Sequence, residues 1–238
     1  MIISIHQHLI MHFENLHMNV KDLRLHSIAA LLELMLFDRY KGLIAVLLAW
    51  VYAFSICDDI QSGYKTFVLS RCNISEYVCS KIVTNTVGVL VAVEGGFCLY
   101  YLILSPISEM GGNGNYFSYF QMIADSQFSW MYMILVGLIL GLSIAFLTNL
   151  SMLIGIFVPN RYVICASPYV LFYFFFYLSP LLPKKMNFWY LSVGYSVLGH
   201  DEFWSNYLYA ISFFLVGSVL ICIAMVAVMR RRLADAKV

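Results

Sequence analysis

Followed along its length, the chain alternates between long apolar runs and short polar intervals. Four runs have the roughly 20 mostly apolar residues that a helix needs to cross about 30 Å of hydrocarbon. They lie at about 82–105, 130–157, 162–182 and 208–229, each stopped by a charge, a proline or a Gly/Asn cluster. A fifth, GLIAVLLAWVYAFSIC at 42–57, is short. It reaches spanning length, about 37–57, by borrowing residues 34–37 while Asp38, Arg39 and Lys41 snorkel at the interface. The pattern predicts an all-α integral membrane protein with five transmembrane helices.

Between the first two runs the periodicity changes. Ile60, Tyr64, Phe67 and Val68 fall at i, i+4, i+7 and i+8, one face of a short amphipathic helix over about 59–71, with Lys65 and Arg71 largely off that face. Asp58 and Asp59 stand at its start, where a helix dipole favours negative charge. Asn73-Ile74-Ser75-Glu76 has the spacing of a capping box, so the next helix is expected to begin near Ile74. A helix lying on the membrane with no partner has the same periodicity as one that docks a protein, and the pattern leaves both open.

Composition agrees with the pattern. Of 238 residues, 62% are hydrophobic and 11% charged, and the mean hydropathy is +0.82. Soluble domains run at about 45–50% apolar and about 25% charged. A soluble enzyme, a nucleic-acid binder and a disordered chain are all excluded as accounts of the whole. The net charge of +1 points to no polyanionic partner. Cys57, Cys72, Cys79, Cys98, Cys165 and Cys222 form no CxxC, and several sit in apolar runs as small hydrophobes.

Positive charge orients the array. Arg230, Arg231 and Arg232 directly follow the last span, so 230–238 is expected to be a cytoplasmic basic tail of a protein of the cell membrane. Alternation then places Lys65, Arg71, Lys81 and Arg161 inside, with Lys21, Arg24, Arg39, Lys41, Lys184 and Lys185 outside. The loop at 106–128 has no Lys or Arg but carries Glu109 and Asp125, which suits the outside. Residues 1–41 become an extracellular or interfacial segment without the features of a signal peptide. An exported N-terminus with nothing to export it is explained most simply by a first helix upstream, which would make six.

The stretch SICDDIQSGYKTFVLSRCNISEYVCSK runs from an acidic pair through Gly-Tyr and an Arg to Tyr77 and Lys81 before a span. In this it resembles the intracellular coupling segment of type-2 ABC exporter permeases. Pro168 and the wet segment at 183–205 fit the same layout, and the resemblance extends from about Gly42 to the C-terminus. It implies a permease subunit with no ATPase activity or cofactor of its own, ATP and Mg²⁺ belonging to a partner. No GxxxxGK[ST] loop occurs, and Gly111-Gly112-Asn113-Gly114 lacks the Lys-Ser/Thr. A separate nucleotide-binding ATPase subunit would dock on the coupling helix, with Asp58, Asp59, Tyr64, Phe67 and Arg71 as the contact set. A second permease copy or a related subunit would complete the pathway through the lipid bilayer.

Other residues resist the apolar background. Glu94, followed by Gly95 and Gly96, sits near the middle of a span, where a carboxylate is costly and a pathway role is one candidate. Its structural alternative is a protonated Glu bonded to a neighbouring helix, with the glycines allowing close packing. His8 and His12 share a helical face, yet two ligands do not complete a metal site, and no metal is expected. Residues 183–205 are rich in aromatics; the resemblance makes Phe188, Trp189 and Trp204 external gate candidates, while an interfacial belt is the slightly favoured account. His200-Asp201-Glu202 is a catalytic cluster only in appearance, and the aromatic run at 170–177 covers every face of its helix. A membrane immunity or assembly factor and, behind it, a membrane-embedded enzyme are the alternatives to the exporter.

Overall fold

A computed structural model describes residues 39–63, 71–104, 130–193, 197–198 and 203–235. The expectations made for 1–38, Tyr64, Phe67, the loop at 105–129 and His200 to Glu202 lie outside the described residues. Among the described residues there are seven α-helices and no strand. They are α1 (Arg39–Tyr52), α2 (Ser55–Gln61), α3 (Ile74–Leu104), α4 (Trp130–Phe157), α5 (Arg161–Leu178), α6 (Phe188–Val193) and α7 (Phe203–Asp235). α3, α4, α5 and α7 are each long and apolar enough to cross a membrane. α1 and α2, bent by 41° where they meet, make a fifth if counted as one span.

The absence of charge permits α4 to be central. α4 contains no Asp, Glu, Lys or Arg, so it can be surrounded on every side without burying an ion. It is 78% buried along its apolar stretch, against 11% for α3 and 17% for α7. The outer helices turn Val83, Val87, Val91, Leu99, Leu215, Val219 and Ile223 outwards. In water that surface would be an aggregation hazard; hydrocarbon is a solvent that suits it.

Two glycines set the closest approach. At Gly137 and Gly141, one turn apart on α4, an added Cβ would lie 2.6 Å from Phe97 and 2.8 Å from Leu90 of α3. GLILG at 137–141 is thus a small-xxx-small seam that lets two backbones come together. The expectation of close packing through Gly95 and Gly96 is not met, since a Cβ on either would touch nothing within 4 Å.

α3 starts at Ile74, with the backbone N–H of Asn73 donating to Glu76 at 3.1 Å. At 1.5 Å per residue, its 31 residues span about 46 Å, more than the hydrocarbon is thick. Cys79 near its start meets Cys222 of α7, the sulfurs 3.2 Å apart. Copper(II)-phenanthroline oxidation of intact membranes is expected to join these thiols, two copper(II) complexes each accepting one electron while the two thiol protons pass to solvent. A Cys79–Cys222 disulfide peptide in the wild type but not in Cys79→Ser would confirm the packing of α3 on α7; its absence from the wild type would refute it.

Candidate functional site

Of the segment expected as an interfacial helix over 59–71, residues 64–70 lie outside the described residues; the described part belongs to α2, which starts at Ser55 and stops at Gln61. Gly63, with φ of 72°, turns the chain in a conformation that glycine adopts at no steric cost. Asp58 and Asp59 are therefore in the body of α2 rather than at its first residue. Asp58 is still in the first turn, and each carboxylate is also engaged by a different helix.

Asp58 Oδ1 accepts from Arg161 Nε, at the start of α5, at 2.8 Å. That pair is open to solvent, with 62% of the arginine side chain and 43% of the aspartate exposed. Asp59 turns inwards to α3: its Oδ2 lies 2.7 Å from Lys81 Nζ and accepts from the Tyr77 hydroxyl at 2.7 Å. Here both charged side chains are only 14% exposed. Lys81 also lies 5.6 Å from the ring centres of Tyr52 and Tyr77. Gln61 Nε2 donates to the Pro159 carbonyl at 2.6 Å, and Arg232 Nη2 donates to the Phe157 carbonyl at 3.0 Å. Phe157 ends α4, so the arginine satisfies a carbonyl that the helix leaves without an N–H. The result is a junction at one end of the bundle that ties α2, α3, α5 and α7 around the end of α4. Arg71 is exposed.

Two thirds of the way along α3, Glu94 faces α4. Both carboxylate oxygens lie 2.8 Å from where a Cβ on Gly137 would be, so the glycine makes the slot that holds the acid. Oε1 is buried without a hydrogen-bond partner. Phe97 shares the slot, and Tyr207 of α7, whose hydroxyl donates to the Leu135 carbonyl at 3.3 Å, is within electrostatic reach.

A second polar cluster went unremarked in the sequence. Asn85 of α3 donates through Nδ2 to Thr148 Oγ1 and Asn149 Oδ1 of α4, each at 2.8 Å. Asn149 Nδ2 returns a bond to Thr86 Oγ1 at 3.1 Å. Asn85, Thr148 and Asn149 are fully buried. In hydrocarbon such amides have no water to turn to, and their pairing specifies which helices adjoin. The visible signal was two amide-bearing positions, Asn85 and Asn149, inside otherwise apolar runs.

At the opposite end α6 lies across the bundle. Lys41, expected to snorkel at the interface, is 2% exposed instead. It donates to the Ser192 carbonyl at 3.3 Å and lies 4.9 Å from the Trp189 ring centre, so the α6 cap covers it. Asn187 anchors that cap: its Nδ2 donates to the Ser179 carbonyl, and its Oδ1 accepts from Ser179 Oγ and from the Tyr190 N–H. Phe188 is buried, stacked on Phe175 at 5.3 Å and edge-on to Phe214 at 5.7 Å. Trp189 packs on Phe172 and Phe176. Trp204 is exposed at the start of α7, separate from this aromatic plug. The three gate candidates therefore divide: Phe188 and Trp189 pack against aromatic rings of α5, and Trp204 is exposed.

Among the described residues no group of three His, Cys, Asp or Glu could hold a metal ion. No family model, curated protein or solved structure matches the chain.

Proposed function

We propose that the chain is the permease subunit of a type-2 ABC exporter in the cell membrane, with the α2 end and the C-terminal tail in the cytoplasm. The observation that carries this reading is the junction around Asp58 and Asp59. A short helix that continues a bent span, and that is ion-paired to the starts of two others, can pass a displacement applied to it into the whole bundle. The basic residues Arg230, Arg231 and Arg232 stand at the same end.

In this mechanism a partner ATPase binds ATP and Mg²⁺ and closes on a second ATPase subunit. The movement reaches the segment at 58–81, where Tyr64, Phe67 and Arg71 form the contact with the ATPase. Asp59 carries the displacement to α3 through Tyr77 and Lys81, and Asp58 carries it to α5 through Arg161. The helices then rock as rigid bodies, because a packed interior switches between arrangements more readily than it deforms. Two permeases, identical or related, enclose the pathway, and the α6 cap with Phe188 and Trp189 closes its outer end.

Co-purification tests the assignment. Tagged chain solubilised from its own cell membranes is expected to bring down an ATPase carrying a GxxxxGK[ST] loop. The Phe67→Ala/Arg71→Ala double variant, recovered in equal amount, is expected to lose it. An ATPase that stays bound to the double variant refutes docking at this segment. A wild type that recovers no ATPase refutes the exporter.

A further inference from the structure

Where α3 and α7 meet, Cys79 Sγ and Cys222 Sγ lie 3.2 Å apart, with either thiol placed to donate to the other. Cys79 is exposed on α3, whereas Cys222 is partly covered. Cys57, by contrast, is fully buried, as a cysteine that only fills space is. Glu76 and Lys81 flank Cys79 along α3, and Asp59 is bonded to Lys81. Ions at this density belong at the membrane surface rather than its mid-plane, so water and dissolved oxidants reach the thiol.

An exposed thiol backed by a second one is the arrangement that makes oxidation reversible. A hydroperoxide, ROOH, converts the Cys79 thiol to a sulfenic acid and leaves as the alcohol ROH. The Cys222 sulfur then attacks the sulfenic sulfur and displaces water. Two thiols and ROOH thus give one disulfide, ROH and H₂O, the two electrons lost by sulfur passing into the broken O–O bond. Without a resolving thiol, the sulfenic acid has a route onward to irreversible sulfinic and sulfonic acids.

The position of the pair gives the new bond a consequence. α3 and α7 pack chiefly on α4 and less on each other. Cys222 lies against an apolar cluster that contains Val78 and Ile82 of α3 and Ile221 and Met225 of α7. Apolar attraction is non-directional, so such contacts let helices slide where a covalent bond does not. Tyr77 and Lys81, on either side of Cys79, hold Asp59 of α2. A disulfide would therefore fix to α7 the turn of α3 that receives the movement of α2.

We propose that Cys79 and Cys222 form a reversible redox switch: a hydroperoxide oxidises the exposed Cys79, Cys222 resolves it, and the disulfide locks α3 to α7. The arrest of transport rests on the exporter reading; the oxidation does not.

Purified chain in lipid nanodiscs is treated with hydrogen peroxide, which arrives from water, or cumene hydroperoxide, which arrives from the bilayer. Dimedone is present to trap sulfenic acids, and the thiols are mapped by mass spectrometry. The wild type is expected to form the Cys79–Cys222 disulfide, reversed by dithiothreitol. Cys222→Ser is expected to stop at dimedone-labelled Cys79, and Cys79→Ser to leave Cys222 unmodified. Cys98, exposed on the same helix, is the internal control and is expected to take the label in every variant. Reaction with either peroxide supports the site, and the faster one identifies the source of the oxidant. A wild type in which Cys79 takes the label as Cys98 does, or in which Cys98 reacts and Cys79 does not, overturns the switch. Wild-type chain oxidised before the ATPase is added is expected to lose substrate-stimulated ATP hydrolysis and to regain it with dithiothreitol, while Cys79→Ser is unaffected by the same treatment. Hydrolysis that survives the disulfide overturns the lock. If no ATPase is recovered from cell membranes, the exporter reading fails, and the thiol mapping alone decides the redox site.

Discussion

Gly137→Leu is expected to destabilise the bundle by about 3 kcal/mol, the upper end of the cost of overpacking a well-packed interior. The first carbon of the new side chain would stand 2.6 Å from Phe97 Cδ2 and 2.8 Å from both oxygens of Glu94. Neither neighbour can yield easily, because Phe97 is packed against the core and the carboxylate would be pressed into apolar surroundings. The natural control is Gly96→Leu on α3, where an added Cβ touches nothing within 4 Å. There the only change within the chain is helix propensity, which favours leucine over glycine by about 0.8 kcal/mol. The two substitutions are therefore expected to move stability in opposite directions. Thermal unfolding of both variants in detergent, followed by the loss of monodisperse protein on gel filtration, reads this out. Equal shifts for the two would show that α4 does not approach α3 at Gly137.

Asp59→Ala is expected to cost about 3 kcal/mol, because removing one partner of a buried pair strands the other charge. Lys81 would keep its ammonium in a site where its side chain is 14% exposed, with only the rings of Tyr52 and Tyr77 for company. Asp58→Ala, one residue away, is expected to cost less than about 1 kcal/mol, since its partner Arg161 is 62% exposed and water replaces the lost ion pair. Asp59→Leu combined with Lys81→Met should recover most of the loss, because an apolar pair of similar size removes the stranded charge. The same unfolding measurement checks all three variants. A cost at Asp58 as large as that at Asp59 would mean that exposure does not govern the junction. In a reconstituted complex with the ATPase, Asp59→Leu/Lys81→Met also separates strength from charge. It keeps the fold while breaking the ionic link from α2 to α3, and so is expected to lose substrate-stimulated ATP hydrolysis.

Individual elements show how far the linear pattern reaches. The apolar run at 130–157 coincides with α4 from end to end, because a run without a single charge can be helical throughout. The start of α3 at Ile74 was legible from Asn73 and Glu76, which interact three residues apart and need no other part of the chain. Asp58 and Asp59 were legible as unusual, but not as facing Arg161 and Lys81, which lie 103 and 22 positions further along. Lys41 misled for a related reason. Its position at the edge of an apolar run suggests snorkelling, and only α6, folded back from far along the chain, makes a buried place for it. Glu94 was visible as a charge out of place, while the glycine that houses it belongs to another helix and bears no mark of that role except its spacing from Gly141.

The sequence by itself determined that this chain forms helices long and apolar enough to cross a membrane, and roughly where they begin and end. Those properties follow from local hydrogen bonding and from the length of apolar runs, both of which are written in consecutive residues. Which helix lies at the centre, which carboxylate meets which cation, and which glycine opens a slot for Glu94 were decided only by the tertiary structure. Inside a bilayer apolar attraction does not distinguish one helix from another, so the neighbours are chosen by close-fitting small residues and a few polar pairs far apart in the chain.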